Sequence, residues 1–182
     1  ILVLKNNKGT EDNRVRHMDY GVQFNKLMYE RLMSGGDITL FSPNDVPGLY
    51  DAFFQDQDKF KELYEAAERK TSIRKKKISA TELFSAFMQE RKDTGRIYLQ
   101  NVDHANEHSS FKTDVAPIKQ SNLCCEIDLP TKPLNDVNDP EGEIALCTLS
   151  AINWGSFSNP QDMQKACTLA VRGLDALLTY QN

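Results

Sequence analysis

Ser121-Asn122-Leu123-Cys124-Cys125-Glu126-Ile127, followed by Leu129-Pro130-Thr131-Lys132-Pro133-Leu134, is the stretch on which the reading of this chain turns. In an extended backbone, side chains alternate between faces with a period of two. Asn122, Cys124 and Glu126 then share one face, while Leu123, Cys125 and Ile127 share the other. One side presents an amide, a thiol and a carboxylate; the other is an apolar anchor. The same alternation also describes an edge strand with a polar outer face. Cys125, on the apolar side, reads as packing, as buried free cysteines usually are.

Downstream, a turn-rich link containing Asn138-Asp139-Pro140-Glu141-Gly142 leads to a second extended candidate, Glu143 to Ile152, which carries Cys147. If the two extended segments are neighbours, Cys147 lies near Cys124 and a thiol redox site results; otherwise Cys147 is strand filler. The clearest helix follows. Asn159 suits its N-cap, Pro160 its first position, and Met163, Cys167, Ala170, Val171, Leu174 and Leu178 make one face, with Cys167 expected in the core.

Upstream, Ile1–Leu4 reads as a short strand and 6–13 as a polar turn. Val22, Leu27, Met28, Leu32 and Met33 suit a helix over 19–33, stopped by Gly35-Gly36. Ile38 to Phe41 is a strand candidate. Tyr50 to Lys70 makes one or two helices with Phe53, Phe54, Phe60, Leu63 and Tyr64 inward. Arg74-Lys75-Lys76-Lys77 reads as a solvated turn. Ser79 and Glu82 have capping-box spacing ahead of the stripe Leu83, Phe84, Phe87 and Met88, which Gly95 ends. Arg96 to Asp103 reads as a strand and His104 to Gln120 as a long loop. Helices alternating with short strands place the chain in the α/β class or in a mixed barrel.

Composition narrows function. The 182 residues carry 22 Lys+Arg against 26 Asp+Glu, a formal net charge of −4, with 40 % hydrophobic and 26 % charged residues. That is an ordinary soluble domain, neither collagen-like, coiled-coil nor disordered. A DNA-binding partner held by bulk charge is not expected. No apolar run reaches the roughly 20 residues that span a bilayer, and Ile1-Leu2-Val3-Leu4 is too short for a signal peptide, so no membrane partner and a cytoplasmic location are expected. The four cysteines show no zinc-knuckle spacing. His104 and His108 stand i, i+4, as in helical zinc sites, but adjacent Cys124 and Cys125 are awkward co-ligands for one tetrahedral ion, so no metal site is expected. The chain starts without Met inside an apolar run and stops directly after an amphipathic helix, which suggests a piece of something longer.

These residues together resemble a known family. The cysteine stretch looks like the finger loop of the large catalytic subunit of class I ribonucleotide reductase. The likeness extends in order through Asn7–Val22, Asp37–Tyr50, Gly95–Asp103 and Glu143–Ser150, and it is closest to aerobic bacterial and phage-type members. It implies a ten-stranded α/β barrel of two five-stranded halves with the cysteine loop threaded through the centre. Residues 1–182 would then be its central segment. It further implies that Cys124 becomes a thiyl radical, that Glu126 accepts the 3′-hydroxyl proton, and that Asn122 hydrogen-bonds the substrate hydroxyls. Cys147 would be one of the reducing pair, its partner lying upstream of Ile1. No cofactor would bind within this segment. The radical would come from a metal-containing small subunit, and thioredoxin or glutaredoxin would be the reductant. A ribonucleoside diphosphate would be the substrate, and the full subunit would be a homodimer. Two other readings stay open: a non-catalytic piece of a split subunit that assembles with other chains, and a small thiol- or metal-binding module.

Overall fold

Tyr20-Gly21-Val22-Gln23-Phe24 alternates half-buried and exposed side chains up to the buried Phe24, and it forms the first strand, β1 (Tyr20–Phe24). The computed structural model describes residues 19–180; the expected strand at Ile1–Leu4 and the polar turn at 6–13 lie outside them. The single helix expected over 19–33 is therefore corrected to this strand followed by α1 (Lys26–Met33), whose buried residues are Leu27 and Met28. Val22 belongs to the strand, so its five-residue step to Leu27 spans two elements.

The other elements are β2 (Asp37–Phe41), α2 (Leu49–Gln55), α3 (Gln57–Arg69), β3 (Lys75–Ser79), α4 (Ala80–Thr94), β4 (Ile97–Asn101), α5 (Val102–Glu107) and α6 (Pro160–Thr179). Short 3-10 turns occupy Pro43–Asp45 and Trp154–Ser156. β1 pairs with β4 in parallel, with Gln23 opposite Gln100. β2 pairs antiparallel with β3, with Thr39 opposite Lys77. The class is thus mixed α/β, and the described residues form two two-stranded sheets rather than a closed barrel.

Local rules explain most boundaries. Ser79 accepts a hydrogen bond from the Glu82 N–H at the start of α4, and Gly95 ends that helix at φ +66°, where a side chain would be strained. The basic run is corrected from a turn to an edge strand. Ile78 is buried, whereas Lys76 and Lys77 face solvent, where charge discourages further strand pairing. Lys75 turns back, its Nζ donating to the Glu68 and Lys70 carbonyls, 2.6 Å each, at the end of α3. His104 to Gln120 is corrected too: α5 follows β4 without a break, and only the residues after it are loop.

The main hydrophobic cluster joins Leu27, Val46, Leu49, Ala52, Phe60, Tyr64, Ala67 and Ile73, with Phe53 and Leu63 packed against it. Tyr64 donates to the Thr39 carbonyl at 2.7 Å and accepts from the Thr39 N–H at 2.6 Å. Burial pushes its hydroxyl pKa up. Arg31 and Thr39 both reach Glu68, at 2.7 Å each, so the helix carboxylate is paired and hydrogen-bonded.

The chain divides into two compact units, one ending at Glu143 and the other beginning at Ile144. In the second, α6 starts as expected, with Asn159 accepting from the Asp162 N–H at 2.8 Å and Pro160 at its first position. None of its residues is buried, however, and Cys167 is only half-buried, a correction to its placement in a core.

Candidate active site

The cysteine stretch is a closed turn, and the two extended segments on either side of the link are corrected accordingly. The Cys125 N–H donates to the Asn122 carbonyl at 3.1 Å, and the Asn122 N–H to the Ile127 carbonyl at 3.2 Å. The Asn122 side chain organises the interior of the loop. Its Oδ1 accepts from the backbone N–H groups of Glu126, 3.2 Å, and Ile127, 3.0 Å, while its Nδ2 donates to Glu126 Oε1 at 2.6 Å. Short polar side chains that bond nearby backbone in this way compete with regular strands. One Nδ2 hydrogen of Asn122 keeps no partner among the described residues.

Asn122 and Glu126 are thus brought together, but by a turn rather than by alternation along a strand. Cys124 sits at the third position of that turn with its thiol exposed. Cys125 is half-buried at φ +61°, in left-handed backbone, and its Sγ lies 3.7 Å from the Leu123 carbonyl. Leu123 is half-exposed, so the expected apolar face does not form around it. Beyond the bridge of Glu143 to Lys132, residues 144–152 form no strand. A strand needs a hydrogen-bonding neighbour, and none of the four strands among the described residues pairs with this segment. Cys147 lies in this second unit with an exposed thiol.

The loop is mounted on β1, β4 and α5. Asn106, buried on α5, donates to the Ile118 carbonyl at 2.9 Å and accepts from the Ile118 N–H at 2.8 Å. Gln23 donates to the Lys119 carbonyl at 2.9 Å and to Gln100 Oε1 at 2.8 Å. Gln100 in turn donates to Asp128 Oδ1 at 2.5 Å. These three amides were not singled out in the sequence. The signal they left was a glutamine in each of two strands, which becomes informative only once the strands pair.

A cavity of about 580 Å³ opens beside the loop, with Glu126, Asp128, Gln100, His104 and Ser110 among its lining residues. His104 and His108 face each other edge to face with ring centroids 5.8 Å apart. Among the described residues, no three His, Cys, Asp or Glu side chains are grouped to hold a metal ion. No helix among them is long and apolar enough to cross a membrane.

A loop that carries an exposed thiol two residues before a hydrogen-bonded carboxylate, held on parallel strands, defines a candidate thiol-dependent catalytic centre in an α/β frame. The family profile described as "Ribonucleotide reductase, barrel domain" matches residues 1–182, and the chain belongs to that family. It is 65 % identical over 182 residues to the ribonucleoside-diphosphate reductase subunit alpha of Haemophilus influenzae, covering 100 % of this chain and 24 % of that protein. It is 72 % identical over 137 residues to the ribonucleoside-diphosphate reductase 1 subunit alpha of Salmonella typhimurium, covering 75 % of this chain and 18 % of that one. The corresponding subunit of bacteriophage T4 is 57 % identical over 185 residues, with 100 % and 24 % coverage. The chain therefore spans about a quarter of the length of the curated relatives that it matches end to end.

Proposed function

We propose that this chain is the central segment, 1–182, of a ten-stranded barrel in a ribonucleoside-diphosphate reductase large subunit, and that its cysteine loop performs radical reduction of ribose. The observation that carries this reading is the loop itself: an exposed Cys124 thiol between Asn122 and Glu126, whose side chains are in contact at 2.6 Å. Membership of the family supports it.

The chemistry requires such a set. Direct displacement of a 2′-hydroxyl from an unactivated ribose is too slow, so a radical must first form at the neighbouring carbon. An S–H bond is close enough in strength to the ribose C–H for the exchange to run both ways. Cys124, oxidised to a thiyl radical by a separate metal-containing small subunit, takes the 3′ hydrogen. Glu126 accepts the 3′-hydroxyl proton as general base, which helps the 2′-hydroxyl leave as water. Asn122 holds Glu126 and offers its remaining N–H to the substrate hydroxyls. Cys147 and a second thiol then supply two electrons and two protons, becoming one disulfide. Thioredoxin or glutaredoxin reduces that disulfide. The 3′ hydrogen returns from Cys124, and the net change is ribose C–OH plus two thiols giving C–H, water and a disulfide. The substrate is a ribonucleoside diphosphate, and the full subunit works as a homodimer in the cytoplasm.

The test uses Cys147→Ser in the complete subunit with its radical-generating partner. Cys124 can still attack the ribose, but the reductant is missing. The expected result is release of free base and progressive inactivation. Sustained deoxynucleotide production by this variant would contradict the role given to Cys147.

A further inference from the structure

We infer that Gln100 is a positioning residue for the catalytic loop, acting through Asp128 to fix the carboxylate of Glu126. The inference rests on the reading of Glu126 as the base. It starts from a chain of amides in which every link has a fixed direction. Gln23 and Gln100 are register partners on parallel strands. Gln23 Nε2 donates to both the Lys119 carbonyl and Gln100 Oε1, at 2.9 and 2.8 Å. With its oxygen so occupied, Gln100 must present its amide nitrogen to Asp128, and it does so at 2.5 Å. The two glutamines therefore grip the loop at both ends, at Lys119 on entry and at Asp128 on exit, two residues beyond Glu126.

Burial makes this grip stiff. Gln100 is 5 % exposed, so both ends of its amide must be satisfied by protein. The hydrogen bond to an ionised acceptor is of the stronger kind. Glu126 itself is exposed, and its one side-chain tie is to Asn122 of the same loop. The loop's internal bonds set its shape, whereas the glutamine pair sets where that shape sits on the sheet. Displacing a reacting group by about 1 Å can cost on the order of a hundredfold in rate.

The experiment removes and then restores the Gln100–Asp128 bond in the complete subunit, assayed with its radical-generating partner. Gln100→Met keeps the length of the side chain but takes away the amide that donates to Asp128. The expected effect is a kcat lowered by about ten- to a hundredfold with KM changed by less than about threefold. Asp128→Ala, on the half-buried loop side, removes the acceptor and is expected to lower kcat likewise. Asp128→Asn keeps an acceptor oxygen for the Gln100 amide, and it is expected to retain at least half of the wild-type kcat. Normal kcat in Gln100→Met or Asp128→Ala, or an Asp128→Asn as slow as Asp128→Ala, would overturn the inference. Glu126→Gln in the same assay separates the two levels. Full turnover by it would overturn the reading of the site, whereas a disabled Glu126→Gln beside a normal Gln100→Met would overturn the role of Gln100 alone.

Discussion

Cys125 occupies left-handed backbone at φ +61°, a region that costs a residue with a side chain roughly 1–2 kcal/mol and costs glycine almost nothing. The turn that exposes Cys124 depends on that geometry. Cys125→Gly is therefore expected to retain turnover in the complete subunit. Cys125→Val, whose branched side chain tolerates positive φ poorly, is expected to lower kcat; equal loss in both variants would show that the Cys125 thiol itself matters. The same geometry orders reactivity, since Cys124 is exposed and Cys125 only half-buried. Limited alkylation followed by mass mapping is expected to label Cys124 first. At this scale the sequence put the Asn122 and Glu126 side chains together, as the structure does, but for an incomplete reason. Alternation assumed a strand, and the Asn122 side chain closes a turn instead, through bonds to the Glu126 and Ile127 amides.

Among the elements, the link between Leu134 and Glu143 is organised by one carboxylate. The Asn135 N–H, and then the Glu141 N–H, hold Asp139 below the usual carboxylate range. A lowered folded value means the ordering is present above the unfolded value and is lost as pH falls through the folded one. Hydrogen exchange at the Asn135 and Glu141 amides is expected to be slowed, after correction for intrinsic rates, near neutral pH. That protection is expected to vanish in acid and to be absent in Asp139→Ala at every pH. Tyr64→Phe tests the other organised junction. It leaves the Thr39 N–H and carbonyl buried without their partner, a loss of about 1–3 kcal/mol, read as faster exchange at Thr39. Elements announced by local chemistry were legible in the sequence: α4 by its Ser79 cap and Gly95 stop, α6 by Asn159-Pro160, and the α2–α3 pair by its phenylalanines. Two strands were not: β1, which finds its partner β4 across more than seventy residues, and β3, which hides behind three lysines with Ile78 as its buried apolar anchor.

For the whole molecule, two features remain once each unit is described by itself. The first unit has a buried hydrophobic cluster and, in Gln23, Gln100 and Asn106, the amides that hold the cysteine loop. The second carries Ile144, Leu146, Leu149, Val171 and Leu177 in exposed positions. On the proposed reading Cys147 belongs to the reduction, and the central claim is that the reaction starts at Cys124. The most direct measurement is a single-turnover rapid-quench assay of the complete subunit carrying Cys124→Ser, with pre-reduced thiols and the radical-generating partner. A serine O–H is too strong to serve as the hydrogen donor and acceptor, so the expected result is intact substrate, with neither deoxynucleotide nor free base. Appearance of either product from Cys124→Ser at a rate near that of the wild type would contradict it.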